Sequence, residues 1–235
     1  MSAHCLYCHH PDCHHPDCHY AGVHRRFMLQ ANKLIQVLTF LLLMLTMLAS
    51  AQTWQDVTDG SVTVRTARHA DRAYLLEVFA VSQQAKRDLR AWGLTLAPLT
   101  LVIHPDIASY QAATGMPWYL AAVADTNTRQ LDMQRAGVLA ERGSLEVTLR
   151  HELFHLAQPE GLARYLAEGL AMHFAGETPQ ATPWQGRPER LNTILADPAN
   201  QQELQQAMAR AYLEVSVLLR REAAVNLLRR YRLPE

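Results

Sequence analysis

The sequence predicts an α+β fold, on three observations. The central part of the chain opens as strand, helix, strand, helix. A polar, turn-rich run at 125–129 separates two short strand-like segments, and from residue 144 onward most segments repeat apolar residues at helical spacing. This pattern implies a small mixed sheet with a hairpin at its edge, followed by a part dominated by helices.

Each element has its own signal. Ser61–Thr66 alternates polar and apolar residues and predicts a strand. Asp71 is placed to cap a helix in which Leu75, Val78, Ala85, Leu89 and Trp92 recur at helical spacing until Gly93 stops it. Pro98–His104 is a short strand rich in branched residues, and Asp106 then caps a helix ending near Gly115. Leu120–Ala124 and Gln130–Gln134 flank Asp125–Arg129 as the arms of a hairpin. Ser144 caps a helix through about Ala157, with Leu145, Leu149, Leu153 and Leu156 on its apolar side, until Gln158-Pro159-Glu160-Gly161 breaks it. A second helix runs from Leu162 to about Ala175, and Thr178–Pro188, with three prolines, is a loop. From Arg190 onward the chain is helical, with Leu204, Met208, Ala211, Val215 and Leu218 on one stripe.

Composition bounds the function. The chain has 235 residues, 49% of them hydrophobic, and balances 22 basic against 22 acidic side chains. That is enough for one sizeable domain with a buried core, and it argues against a strongly basic nucleic-acid binder, so no nucleic-acid partner is expected. The residues are unevenly spread. All four cysteines (Cys5, Cys8, Cys13, Cys18) and seven of the twelve histidines lie before residue 25, where His10-Pro11-Asp12-Cys13-His14 is repeated as His15-Pro16-Asp17-Cys18-His19.

This tract, residues 1–27, has two readings. One is a flexible, low-complexity metal-binding segment, since thiolates and imidazoles are soft-metal ligands. The other, which is favoured, is a misassigned start upstream of Met28. Met28 opens a segment with the layout of a secretory signal: Lys33, the apolar stretch Leu34–Leu48, and Ala49-Ser50-Ala51 as a small-x-small cleavage site. The apolar stretch is short for a spanning helix, so cleavage after Ala51 is expected rather than stable membrane insertion. The expected product is a single domain, 52–235, secreted or held in the periplasm or cell envelope. It contains no cysteine, which suits an oxidising compartment, and nothing in it fixes an oligomeric state.

One motif carries chemistry. His151-Glu152-Leu153-Phe154-His155 is HExxH, inside a segment whose apolar spacing is independently helical. Residues four apart share a helical face, so two imidazoles can reach one zinc ion while Glu152 lies beside the attacking water as general base. A hydrolytic zinc site needs a third protein ligand, and two His plus one Glu is an established set. Glu168, in Tyr165-Leu166-Ala167-Glu168-Gly169-Leu170-Ala171, leads, because two antiparallel helices joined by a tight turn would bring it back over His151 and His155. A metzincin-type site fails, since Gln158 and Gly161 stand where its glycine and histidine belong. Glu160 lies in the turn, and His173 and Glu177 lie nearer the end of the second helix. His69 and His104 read as surface or structural.

These segments resemble the peptidase MA-like gluzincins, bacterial HExxH proteins in which a Trp-Leu-x-Glu-Gly-Leu-Ala type segment follows the zinc helix. The resemblance runs from about Ser61 to Arg230. It takes in the strand and helix opening, the hairpin, the HExxH segment, Tyr165–Ala171 and Ala211–Ser216. It implies a zincin-like metallopeptidase fold with a zinc helix and a glutamate helix. It also implies one Zn2+ held by His151, His155 and Glu168, Glu152 as general base, and a peptide or protein substrate. Three features depart from the family pattern: Tyr165 replaces the usual tryptophan, the spacer between His155 and Glu168 is only twelve residues, and Met172 stands where relatives place an acidic residue that braces a ligand. The family pattern also makes Tyr212 a candidate donor to the developing oxyanion; a tyrosine packed between helices is the alternative, and Tyr119 and Tyr165 stay as further candidates.

Other functions compete with a peptidase. One is a non-catalytic envelope module retaining a structural or vestigial zinc; another is a metal-handling factor that uses the amino-terminal tract. The strand Gln130–Gln134 could pair with an extended peptide, or be an ordinary sheet strand. The arginines Arg220, Arg221, Arg229, Arg230 and Arg232 read as a solvated helix face.

Overall fold

The computed structural model describes residues 53–230, together with Gln36, Thr39 and Phe40. The Cys/His tract at 1–27 and, apart from those three residues, the export segment at 28–51 fall outside the described residues. Among the described residues no helix is long and apolar enough to cross a membrane.

The described domain opens with a strand absent from the sequence expectation. β1 (Gln55–Thr58) pairs antiparallel with β2 (Val62–Thr66). The turn between them is built on Asp59, whose Oδ1 accepts from the backbone N–H groups of Ser61 and Val62, both at 2.8 Å. After β2 a short 3-10 turn, His69–Tyr74, leads into α1 (Leu75–Ala91), and α1 returns the chain to β3 (Leu99–Ile103), parallel to β2. α2 (Ile107–Thr114) is capped as expected: Asp106 Oδ1 accepts from Ser109 N at 2.8 Å, and Gly115 ends it in the left-handed region.

The hairpin is β4 (Ala122–Asp125) and β5 (Gln130–Met133). β5 runs parallel to β3, so the sheet order is β1-β2-β3-β5-β4. The architecture is therefore mixed α+β, with a five-stranded mixed sheet edged by the hairpin. Both sides of β5 are taken, by β3 and β4, so of the two readings of Gln130–Gln134 the ordinary sheet strand holds, and β4 is the edge strand among the described residues.

Helices follow: α3 (Ala136–Glu141), α4 (Leu145–Ala157), α5 (Arg164–Ala175), α6 (Leu191–Ala196), α7 (Gln201–Leu219) and α8 (Ala224–Arg229). The register aligns Val64, Leu101 and Leu131 in one row across three strands. With Val62, Ile103 and Met133 they form the apolar face of the sheet, packed against Val78, Ala85 and Leu89 of α1 and Leu145, Leu149 and Leu153 of α4. Trp92 meets Phe154 of α4 and Phe174 of α5 edge-on, at ring separations of 6.0 and 5.4 Å. Arg150 adds a polar strap, donating to Asp88 Oδ2 at 2.8 Å and to the Phe174 carbonyl at 2.9 Å.

Two expected caps have other partners. Asp71 does not cap α1; it is buried in the preceding turn, and its Oδ1 accepts from Gly137 N at 3.2 Å, at the start of α3. The first four N–H groups of a helix have no partner within it and attract a carboxylate, and here the helix start that Asp71 meets belongs to α3. Ser144 precedes α4 as expected, but its hydroxyl donates to the Leu139 carbonyl at 3.3 Å instead of capping.

α5 is buried along most of its length, between α4 and α7. The close approach depends on Gly169: a Cβ there would lie 2.6 Å from the Ala211 carbonyl oxygen and 2.5 Å from Val215 Cγ2.

Candidate metal centre

The apolar side of α4 decides where its polar residues go. Leu149 and Leu153 face the sheet, and His151 and His155 follow each by two positions, about 160° around the helix. The two imidazoles therefore turn away from the sheet, toward α5. The turn at Gln158–Ala163 reverses the chain, with Gly161 at φ 80°, and α5 runs back beside α4. Glu168 sits on the second turn of α5, buried, with its carboxylate against both histidines.

The distances define the site. His151 Nε2 and His155 Nε2 are 3.1 Å apart, and each lies 3.3 Å from Glu168 Oε2. Zinc bonds of about 2.0 Å in tetrahedral geometry separate neighbouring ligand atoms by about 3.3 Å. The three atoms thus stand at three corners of a zinc-sized tetrahedron, and the donor set, two neutral imidazoles and one carboxylate, suits that ion.

The far side of each ligand is held too. His151 Nδ1 lies 3.1 Å from Glu177 Oε2, and His155 Nδ1 lies 3.1 Å from Gln158 Oε1. A ring N–H donated on the Nδ1 side leaves the Nε2 lone pair facing the centre, so both partners select the tautomer a metal requires. Glu168 Oε1 is 2.8 Å from Arg164 Nε, one helical turn earlier. Sequence reasoning missed Gln158 and Arg164 and gave Glu177 no role. The signal for Arg164 was its i,i+4 spacing from Glu168; that for Gln158 was its place three residues after His155.

Charge follows from this crowding. Burial works to remove the proton of His151, but the carboxylates of Glu168 and Glu177, with Glu152 nearby, outweigh it and raise the pKa to about 10. Burial would raise Glu168 as well; the two imidazoles prevail and hold its carboxyl well below the usual range. Two carboxylates converging on the buried His151 imidazole make a pocket that favours positive charge.

The remaining candidates are spread out. Glu152 is half-buried, next to His151 in sequence. Tyr212, on α7, stacks flat on His173 with ring centres 4.1 Å apart. His173 is five residues beyond Glu168, about 140° around α5, so this contact lies on another flank of the helix from the ligand carboxylate. Tyr165 packs between the sheet-side core and a second apolar cluster around Leu191 and Ile194, and its N–H donates to Asn192 Oδ1 at 2.9 Å. Tyr119 lies edge-on to the exposed Trp118.

His69 is exposed in the 3-10 turn, while His104 is buried and structural, with Nε2 2.7 Å from Asp132 Oδ1 and Nδ1 3.2 Å from Ser109 Oγ. Beside it, Tyr110 is fully buried; burial first, then the charges of Glu152 and Asp132, push its phenol far above the usual range and keep it neutral.

Neither a family model nor a curated protein matches the chain.

Proposed function

We propose that the chain is an exported zinc-dependent metallopeptidase of the gluzincin kind, with a zincin-like arrangement of sheet, zinc helix and glutamate helix. The observation that carries this reading is the convergence of His151 Nε2, His155 Nε2 and Glu168 Oε2 to within 3.3 Å of one another. When bound, zinc supplies a Lewis acid that polarises a carbonyl and makes water acidic enough to attack near neutral pH.

The chain's own residues supply the rest. Glu152, anchored beside His151 on a rigid helix, accepts the proton of the attacking water and passes it to the departing amine. Glu168 would hold the metal through Oε2, the oxygen that lies against both histidines. Glu177 and Gln158 hold the imidazole rings in place. β4 packs against α4 and, among the described residues, keeps one side free of sheet partners, so an extended peptide can pair with it.

A second reading has its own support. His151 and Glu168 are 8% and 5% exposed, which also suits a structural site in a non-catalytic binding module. Metal analysis of the purified protein, with hydrolysis of a mixed peptide library by the native chain and by Glu152→Gln, separates the two. One zinc per chain with hydrolysis that Glu152→Gln abolishes supports the peptidase; one zinc without hydrolysis supports the binding module. Mass spectrometry of the exported form tests the processing: a terminus near Gln52 supports export and removes the amino-terminal tract from the working protein.

A further inference from the structure

We propose that Arg164 reads the free α-carboxylate of a peptide's last residue, which makes the enzyme an exopeptidase acting at the carboxyl end. This inference rests on the metallopeptidase reading and names its substrate class.

The two oxygens of Glu168 face different partners. Oε2 lies against both histidines, and Oε1 lies against Arg164 Nε at 2.8 Å. The guanidinium therefore begins one carboxylate's width from an atom of the metal-ligand set. Among the described residues, Arg164 is the cationic arginine or lysine ion-paired with a member of that set. Its Nε is ion-paired with Glu168, and its two terminal amino groups hold no hydrogen bond among the described residues. The side chain is 56% exposed, while that of Glu168 is 7% exposed, so the guanidinium forms the solvent-facing rim of a buried centre.

That rim has a definite chemical preference. Two parallel N–H groups of a guanidinium match the two oxygens of a carboxylate, and the planar fork is rigid. Successive residues of a peptide are about 3.8 Å apart between Cα atoms, so a terminal carboxylate lies one residue beyond the last peptide bond. In the proposed pose a carboxylate is held by Arg164 while the last peptide bond of the substrate lies over the histidines. An internal segment of a protein offers no carboxylate at that point, and a peptide amide offers only a neutral acceptor. In this pose Arg164 keeps its ion pair with Glu168 through Nε while its terminal amino groups take the substrate carboxylate.

The test compares a short N-acetylated peptide with its carboxyl-terminal amide, using the native chain, Arg164→Gln and Arg164→Lys, each checked for zinc content and circular dichroism. The expected result is a preference of about 100-fold in kcat/KM for the free acid, expressed mainly in KM. It should be lost in Arg164→Gln and largely lost in Arg164→Lys, which keeps the charge without the fork. A second readout avoids turnover: calorimetric binding of an N-acetyl amino acid and of its amide to zinc-loaded Glu152→Gln protein. The acid should bind at least about tenfold tighter, and adding Arg164→Gln should remove the difference. Equal cleavage of acid and amide, or an equal loss for both in Arg164→Gln, overturns the inference and leaves the peptidase reading standing. Acid-selective binding that depends on Arg164, without hydrolysis of any peptide, upholds the recognition and overturns the peptidase reading. The absence of both hydrolysis and acid-selective binding overturns the two together.

Discussion

Glu177 Oε2 lies 3.1 Å from His151 Nδ1, on the side of the imidazole opposite Glu168. The end of α5 sets up this contact. Gly176 adopts φ 72°, Gly176 N donates to the His173 carbonyl, and Glu177 N donates to the Met172 carbonyl at 2.9 Å. This is the pairing of a Schellman motif, which folds the residue after the glycine back over the helix end. Met172 is buried and carries no charge, so Glu177, five residues later, braces His151 from beyond the helix.

Loss of that brace should weaken metal binding while the fold persists. Partners of metal-bound histidines contribute about 10–100-fold to affinity, and Glu177→Ala should lose that much in a competitive zinc titration with an unchanged circular dichroism spectrum. An affinity unchanged within twofold would show that Glu177 is a surface residue that happens to lie near.

Glu152 and Glu168 should separate cleanly. Glu152→Gln is expected to keep stoichiometric zinc and to lose at least about 100-fold in hydrolysis, the usual contribution of a general base. Glu168→Ala should lose stoichiometric zinc, because two histidines alone leave the site one ligand short. Full zinc and activity in Glu168→Ala would assign the third ligand elsewhere.

The contact between α5 and α7 tolerates no side chain at Gly169. The Ala211 carbonyl is backbone and cannot step aside, so Gly169→Ala should push α7 outward and destabilise the protein by about 1–3 kcal/mol, read as a fall in denaturation midpoint. Glu168 is its neighbour on the same helix, and zinc affinity should fall with stability.

Asp59 makes stability depend on acid. Slight burial opposes ionisation there, but hydrogen bonds from Gln83, the Val62 and Ser61 N–H groups and the Ser61 hydroxyl outweigh it and lower the pKa to about 2. A carboxylate with a depressed folded pKa stabilises above its unfolded value of about 4, and that contribution is lost as the pH falls through 2. Asp59→Asn should therefore lower the melting temperature at pH 7 by a few degrees and make almost no difference near pH 2. An equal shift at both pH values would rule out the ionised group as the cause.

Tyr212→Phe tells two roles apart. A donor to the developing oxyanion would cost about 10²–10³ in kcat when removed, whereas the stacked ring on His173 needs no hydroxyl. The stacking favours the second role, so the expected outcome is hydrolysis within about threefold of the native chain, with Tyr212→Ala less stable.

The sequence carried the local elements well. Alternation marked β2, branched residues marked β3, and the Asp106 and Gly115 signals bounded α2 within a residue. β1 was missed because its four residues are all exposed and leave no burial pattern, and Asp71 was misjudged because the helix it serves is distant in sequence. The order of strands was equally out of reach: nothing in Gln130–Gln134 says that β3 and β4 will flank it.

By itself, the sequence determined the residue types offered as candidate ligands and the spacing that lets His151 and His155 share a face, because that spacing follows from the geometry of a single helix. The tertiary structure decided what meets them: Glu168 across a turn, Glu177 and Gln158 behind the rings, Arg164 on the rim, and Tyr212 on another flank of α5. Those contacts depend on how closely α4, α5 and α7 pack and on the φ of Gly161 and Gly176. Helix packing and chain reversal arise from the whole core, which no local stretch of sequence encodes.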